Sequence, residues 1–152
     1  MMTDLAGFVQ AGLDHVWGDR VKEHLPGISS TVRDGDVGFY VFYCEDYIKW
    51  SSIVTARTPI TGNVVKAIRD INTGLPFGGV TLLADDDGDC LTLWSFKILP
   101  AWLDPDTSVS AKLMVDVLTN VPNMVRMSRE KLVPCGGEPH VPDDLGVLMF
   151  FS

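Results

Sequence analysis

The sequence predicts an α+β domain: an antiparallel sheet of about five strands flanked by an N-terminal, a central and a C-terminal helix. Three observations predict it. Apolar residues recur at spacings of three and four in three separate stretches. Between them lie runs rich in β-branched and aromatic residues, joined by short turns of Asp and Gly. The order along the chain is helix, three strands, helix, two strands, helix, and strands joined by tight turns pair antiparallel.

Each element has its own signal. From Thr3 to about His24, residues Leu5, Phe8, Val9, Leu13, Val16, Trp17 and Val21 form one apolar stripe, with Thr3 or Asp4 as cap and Pro26-Gly27 as stop. Gly7, Gly12 and Gly18 weaken this helix, so it depends on docking. Ile28 to Arg33, the turn Asp34-Gly35-Asp36, and Val37 to Cys44 read as a hairpin, because the Asp-Gly pair supplies the positive φ of a tight turn. Glu45-Asp46 is a second turn, and Tyr47 to Arg57 a half-buried third strand, with Ile48, Trp50 and Val54 on one face and Lys49, Ser51 and Thr55 on the other. The run Phe39 to Tyr43 does not alternate, so both of its faces are expected to be covered.

Thr61 caps a helix carrying Val64, Val65, Ile68 and Ile71 on one side, which Asn72-Thr73-Gly74 and Pro76 end. A second hairpin runs from Gly79 to Ala84, through the acidic turn Asp85 to Asp89, and back from Cys90 to Leu99; Leu91 and Leu93 face one way, Trp94, Phe96 and Ile98 the other. Asp104-Pro105-Asp106-Thr107 starts the last helix, whose stripe of Val109, Leu113, Val117, Leu118 and Val121 meets Pro122, a residue expected to kink or split it before Met124, Val125 and Leu132. One domain over 1–133 and a loop-like tail over 134–152 follow from this division. The tail ends in the apolar run Leu145 to Phe151, which is expected to dock on this domain or on a neighbour.

Composition excludes several functions. The chain has 152 residues, 46% of them apolar, with 12 basic against 20 acidic side chains. A net charge of −8 opposes nucleic acid and anionic membrane surfaces, since both need clustered Lys and Arg. No leader precedes the N-terminal helix and no 18-residue apolar run is present, so a cytoplasmic protein is expected. Cys44, Cys90 and Cys135 have no CxxC spacing, and neither a disulfide framework nor a zinc site follows; Cys44 and Cys90 read as small core residues.

Chemistry is expected to be absent. The acidic turn fails as an EF-hand, because aligning Gly88 with position six puts Leu83 at one and Trp94 at twelve. Gly74, Gly78 and Gly79 lack the Lys-Ser/Thr of a phosphate loop. His15, His24 and His140 stand in no nucleophile motif, and the nearness of Cys135 to His140 lacks an orienting partner. No cofactor and no metal is expected.

The central stretch Ile68-Arg69-Asp70-Ile71-Asn72-Thr73-Gly74-Leu75-Pro76-Phe77-Gly78-Gly79-Val80 resembles the helix, Asn-containing turn and Phe-Gly strand entry of the YbjN family. Trp94 to Leu103 and the helix from Asp106 resemble the strand, Leu-Pro loop and final helix that follow there. Together with the element order, about residues 3–132 resemble the fold shared by YbjN-like proteins and type III secretion chaperones. The resemblance implies a small acidic bacterial protein, a cytoplasmic homodimer, that binds an extended or hydrophobic segment of a partner polypeptide and catalyses nothing. An immunity- or antitoxin-like protein masking a basic partner is the alternative, and a small enzyme the third.

The residues agree in one respect. A sheet apolar on both faces needs cover on both, and three helices suffice for one. Tyr40, Phe42, Trp94, Phe96 and Ile98 are the candidates for a face that binds a partner or a second copy, large aromatics being efficient anchors. Closure of that face within one chain, by the first helix and Leu145 to Phe151, is the competing expectation.

Overall fold

The computed structural model describes residues 2–25, 29–44, 46–84, 90–98 and 108–140. Helix α1 (Met2–Trp17) is followed by a 3-10 turn at Gly18–Arg20 and strands β1 (Val21–Leu25), β2 (Ser29–Asp34), β3 (Val37–Tyr43) and β4 (Ile48–Thr58). Then come α2 (Gly62–Gly74), β5 (Gly79–Ala84), β6 (Cys90–Ile98), α3 (Ser108–Leu132), a 3-10 turn at Val133–Cys135 and the two-residue β7 (Glu138–Pro139). The sheet runs β1-β2-β3-β4-β6-β5, every neighbour antiparallel, with β7 paired to β4.

The α+β class and three-helix arrangement are as expected, but the sheet has seven strands. The additional two are β1 and β7. Residues expected to extend the first helix to His24 instead leave it at Gly18, whose φ of +58° suits a residue without a Cβ. Val21, Lys22 and Glu23 then pair with Val32, Thr31 and Ser30. Inside the expected tail, Glu138 and Pro139 pair with Ala56 and Thr55. The turn at Asp85–Asp89, the start of the last helix at 104–107 and the terminal run 145–151 lie outside the described residues.

All three helices share one face of the sheet. From α1, Val9, Leu13 and Trp17 enter the main core at intervals of one turn; α2 adds Val64 and Ile71, and α3 adds Val121, Met124, Val125 and Leu132. Beneath them lie Val32, Val37, Phe39, Val41, Ile48, Trp50, Val80 and Trp94. Helix α3 runs through Pro122 without being split. Ser128 donates to the Met124 carbonyl at 2.8 Å within it.

Polar side chains set the joints between these layers. The Thr61 hydroxyl accepts the Val64 N–H at 3.3 Å and caps α2. Helix α2 ends at Gly74, within the expected Asn72-Thr73-Gly74, but its C-cap is Leu75, extended at φ −72° and ψ 132°, whose N–H donates to the Ile71 carbonyl at 3.0 Å. Asn72 instead ties α2 to β5, since its amide donates to the Val80 carbonyl at 2.9 Å and accepts the Val80 N–H at 2.7 Å. On α1, Gln10 accepts from the Tyr43 and Ser30 hydroxyls at 2.5 and 3.1 Å.

Strand β4, expected to be half-buried, is buried on both faces, because β3 and β6 flank it and both sheet faces are closed over its middle. A register shift between Ile53 and Thr55 brings Thr55 beside Thr92 and Thr58, whose hydroxyls lie 2.6 and 2.7 Å from its own.

Candidate partner-binding faces

The register divides the expected binding residues between two faces. Val41, Trp50 and Phe96 are cross-strand neighbours, and so are Tyr40, Ser51 and Ser95. Side chains alternate along a strand, so even-numbered residues of β3 and even-numbered residues of β6 point to opposite sides. Trp94, Phe96 and Ile98 therefore lie beneath the helices, and Tyr40 and Phe42 on the other face. The five do not form one surface, which corrects the expectation. Alternation was read correctly within β6 and in β4 as far as Ile53, past which the register shift turns Thr55, expected on the side of Lys49 and Ser51, to the side of Thr92; the pairing of β3 with β6 through β4 was not readable.

On the helical side, Trp94 and Ile98 are core residues, and Phe96 is partly buried against Phe77, ring centres 5.1 Å apart. The indole N–H groups of Trp50 and Trp94 are buried with no hydrogen-bond partner among the described residues. Ile60, Val65, Met127 and Val133, on α2, α3 and their flanks, are large apolar side chains left exposed.

The second face carries its own cluster of Tyr40, Phe42, Ile53 and Leu93, with Cys44, Leu83 and Leu91 packed beside it. No described helix contributes to it. At one rim Lys49 of β4 stands directly opposite Lys97 of β6, whose ammonium lies 4.6 Å from the centre of the Tyr47 ring. Burial holds the Lys49 ammonium below its ordinary pKa, and the like charge of Lys97 adds to this.

A second polar centre joins α3 to the β2–β3 turn. Arg126 donates through Nη2 to Asp34 and through Nε to Asp36, both at 2.9 Å. Arg129 donates through Nε to the Val54 carbonyl at 2.9 Å and through Nη1 to the Asp36 carbonyl at 3.0 Å and carboxylate at 3.2 Å. The Trp17 indole completes the group by donating to Asp34 at 2.9 Å. Both arginines and Asp36 also line a concavity of 380 Å³ with Glu130, Val133 and Pro134. Their donors are directed to protein acceptors, so the group acts as a staple between α1, α3 and the hairpin.

The staple makes stability fall in acid. Burial raises the Asp34 pKa, but the Trp17 and Arg126 hydrogen bonds outweigh it and hold the carboxyl low. Asp36 is lowered first by its Arg126 hydrogen bond. Both folded values lie below the unfolded one of about 3.9, so the stabilisation is complete above about pH 5 and is lost as pH falls through the folded values. Urea unfolding at pH 7, 4 and 3 is expected to show the loss below pH 4, with Asp34→Asn/Asp36→Asn flattening that limb; an unchanged acid limb would contradict the assignment.

Cys90 is buried and donates to the Thr58 carbonyl at 3.0 Å; Cys135 donates to the Lys131 carbonyl at 3.5 Å. The His140 carbonyl accepts from Arg129 at 3.5 Å. Among the described residues no three His, Cys, Asp or Glu side chains are placed to hold a metal, and no helix is long and apolar enough to cross a membrane.

No protein-family model matches the sequence, and no curated protein does. Solved structures do match. YbjN from E. coli, itself only proposed to be a transcription regulator, superimposes with a TM-score of 0.60 over 82% of this chain and 87% of its own, at 10% identity. The chain has a YbjN-like, chaperone-like fold. The ExoU–SpcU heterodimer of the Pseudomonas aeruginosa type III secretion system matches at TM-score 0.52 and 18% identity, over 82% of this chain and 94% of the other. The ExsC–ExsE complex matches at 0.52 and 10%, over 87% and 96%. YbjN-like architecture thus extends over most of the chain.

Proposed function

We propose that this chain is a non-catalytic, chaperone-like module that binds an extended or hydrophobic segment of a partner polypeptide, as a cytoplasmic homodimer. The observation that carries the reading is that two of the solved structures with this fold are complexes with a second protein. The molecule agrees in kind. Its polar clusters serve as joints between layers, and large apolar side chains stay exposed along the helices. A net charge of −8 keeps such a surface soluble.

Capture from the native host with the tagged chain, followed by titration with peptides tiling the recovered partner, tests this. A single contiguous peptide is expected to bind nearly as tightly as the whole partner, and the free chain to sediment as a dimer. Binding confined to the folded partner, by a chain that sediments as a strict monomer, would replace this reading with that of an immunity-like protein.

A further inference from the structure

The two lysines at the rim of the second face belong to a larger block of donors. Lys49 is paired with Lys97, and Ser51 with Ser95, on adjacent strands. Side chains two apart on a strand share a face, so these residues stand together on the side of Tyr40 and Phe42, their Cβ atoms within a patch of about 5 by 7 Å. Each carries a hydrogen-bond donor, and none carries negative charge.

Ser51 and the lysines lack the partners that their placement calls for. Ser51 is 1% exposed, and its hydroxyl is buried with no hydrogen-bond partner among the described residues. An orphaned buried hydroxyl carries its full desolvation penalty. Lys49 is partly buried opposite a like charge, which destabilises a strand pair. The ion pairs among the described residues are made by Arg57, Arg126 and Arg129, and neither lysine is in one. Glu138 pairs with Ala56, about 23 Å along β4 from Lys49, and bonds Arg57. Burial and Lys97 hold the Lys49 pKa down, and no carboxylate acts against them.

The walls of the block are aromatic. Tyr40 and Phe42 stack beside it with ring centres 5.4 Å apart, and the Tyr47 ring lies under Lys97, which is exposed. A ligand that answers these donors is compact, accepts several hydrogen bonds and balances two ammonium charges. A phosphoryl group has three strong acceptor oxygens and a charge of about −2 at neutral pH, where a carboxylate brings a single charge. Lysines, with flexible stems and point charges, suit such a group. We propose that Lys49, Lys97 and the Ser51 hydroxyl form a binding site for a phosphoryl dianion, entered from the exposed side of Lys97. Inorganic phosphate and a phosphorylated side chain present the same group. The site rests on the sheet register and is independent of the partner-binding function.

Lysine-selective NMR of the full-length protein, titrated at constant ionic strength with inorganic phosphate or with a phosphoserine tripeptide, tests it. Of the six lysines, Lys49 and Lys97 are expected to shift saturably, and the Lys49 pKa to rise as the site fills. Lys97→Gln and Ser51→Ala should each weaken binding about tenfold, the second with the fold intact because it removes an unpartnered hydroxyl. Saturation by phosphate alone would uphold the site as one for the free ion, and saturation by the tripeptide as one for a phosphorylated side chain. Shifts produced equally by chloride, or an affinity unchanged in Ser51→Ala, would overturn the proposal.

Discussion

Trp94→Ala is expected to lower the unfolding free energy by about 3–5 kcal/mol, the cost of emptying a large aromatic site in a close-packed core. Trp94 is fully buried, with Phe77 and Phe96 centred 6.1 and 6.5 Å away and Val80 opposite it on β5. Its indole N–H has no partner among the described residues, so truncation sacrifices packing and no hydrogen bond. That separates two variants in urea unfolding. Trp94→Phe, which keeps one ring and leaves a smaller cavity, should cost clearly less than Trp94→Ala. Equal and small effects would mean that Trp94 belongs to a surface. Trp94→Asp, informative on a binding face, is expected to unfold the protein here.

Gly78→Ala is expected to be the next most damaging single change. Gly78 has φ +74°, and a Cβ there would lie 2.7 Å from the Trp94 ring. The backbone conformation costs a residue with a side chain about 1–2 kcal/mol, and the overlap adds about 1–3. The two contributions separate in a double-mutant cycle. With Trp94→Leu in place the overlap is relieved, and Gly78→Ala should then cost only the backbone portion. A cost unchanged in that background would show that the ring contact is not the cause.

The legible parts of the fold were those written locally. The Asp-Gly turn appears where expected, Asp34 pairing with Val37 around Gly35 at φ +57°. Thr61 caps α2 as its residue type suggested. Strand β1 was missed because Val16, Trp17 and Val21 continue a helical stripe, and only the conformation of Gly18 ends it. Strand β7 has two residues and exists only through β4, so no pattern within it could announce it.

The candidate site was legible in composition and not in placement. Two aromatic faces were evident from Phe39 to Tyr43, but which residues of β6 share a face with Tyr40 depends on the intervening register of β4. The arginine staple was missed for a similar reason: Arg126 and Asp36 are ninety residues apart, and no local signal pairs them. The only hint lay in arginines placed toward the end of an otherwise apolar helical stripe.

Hydrogen exchange on a captured partner, alone and in complex with this chain, tests the central claim most directly. Binding of an extended segment predicts one continuous stretch of partner backbone that exchanges within seconds when free and is protected in the complex. Partner backbone protected to the same extent with and without this chain would mean that a folded surface is recognised, and would contradict the chaperone-like reading.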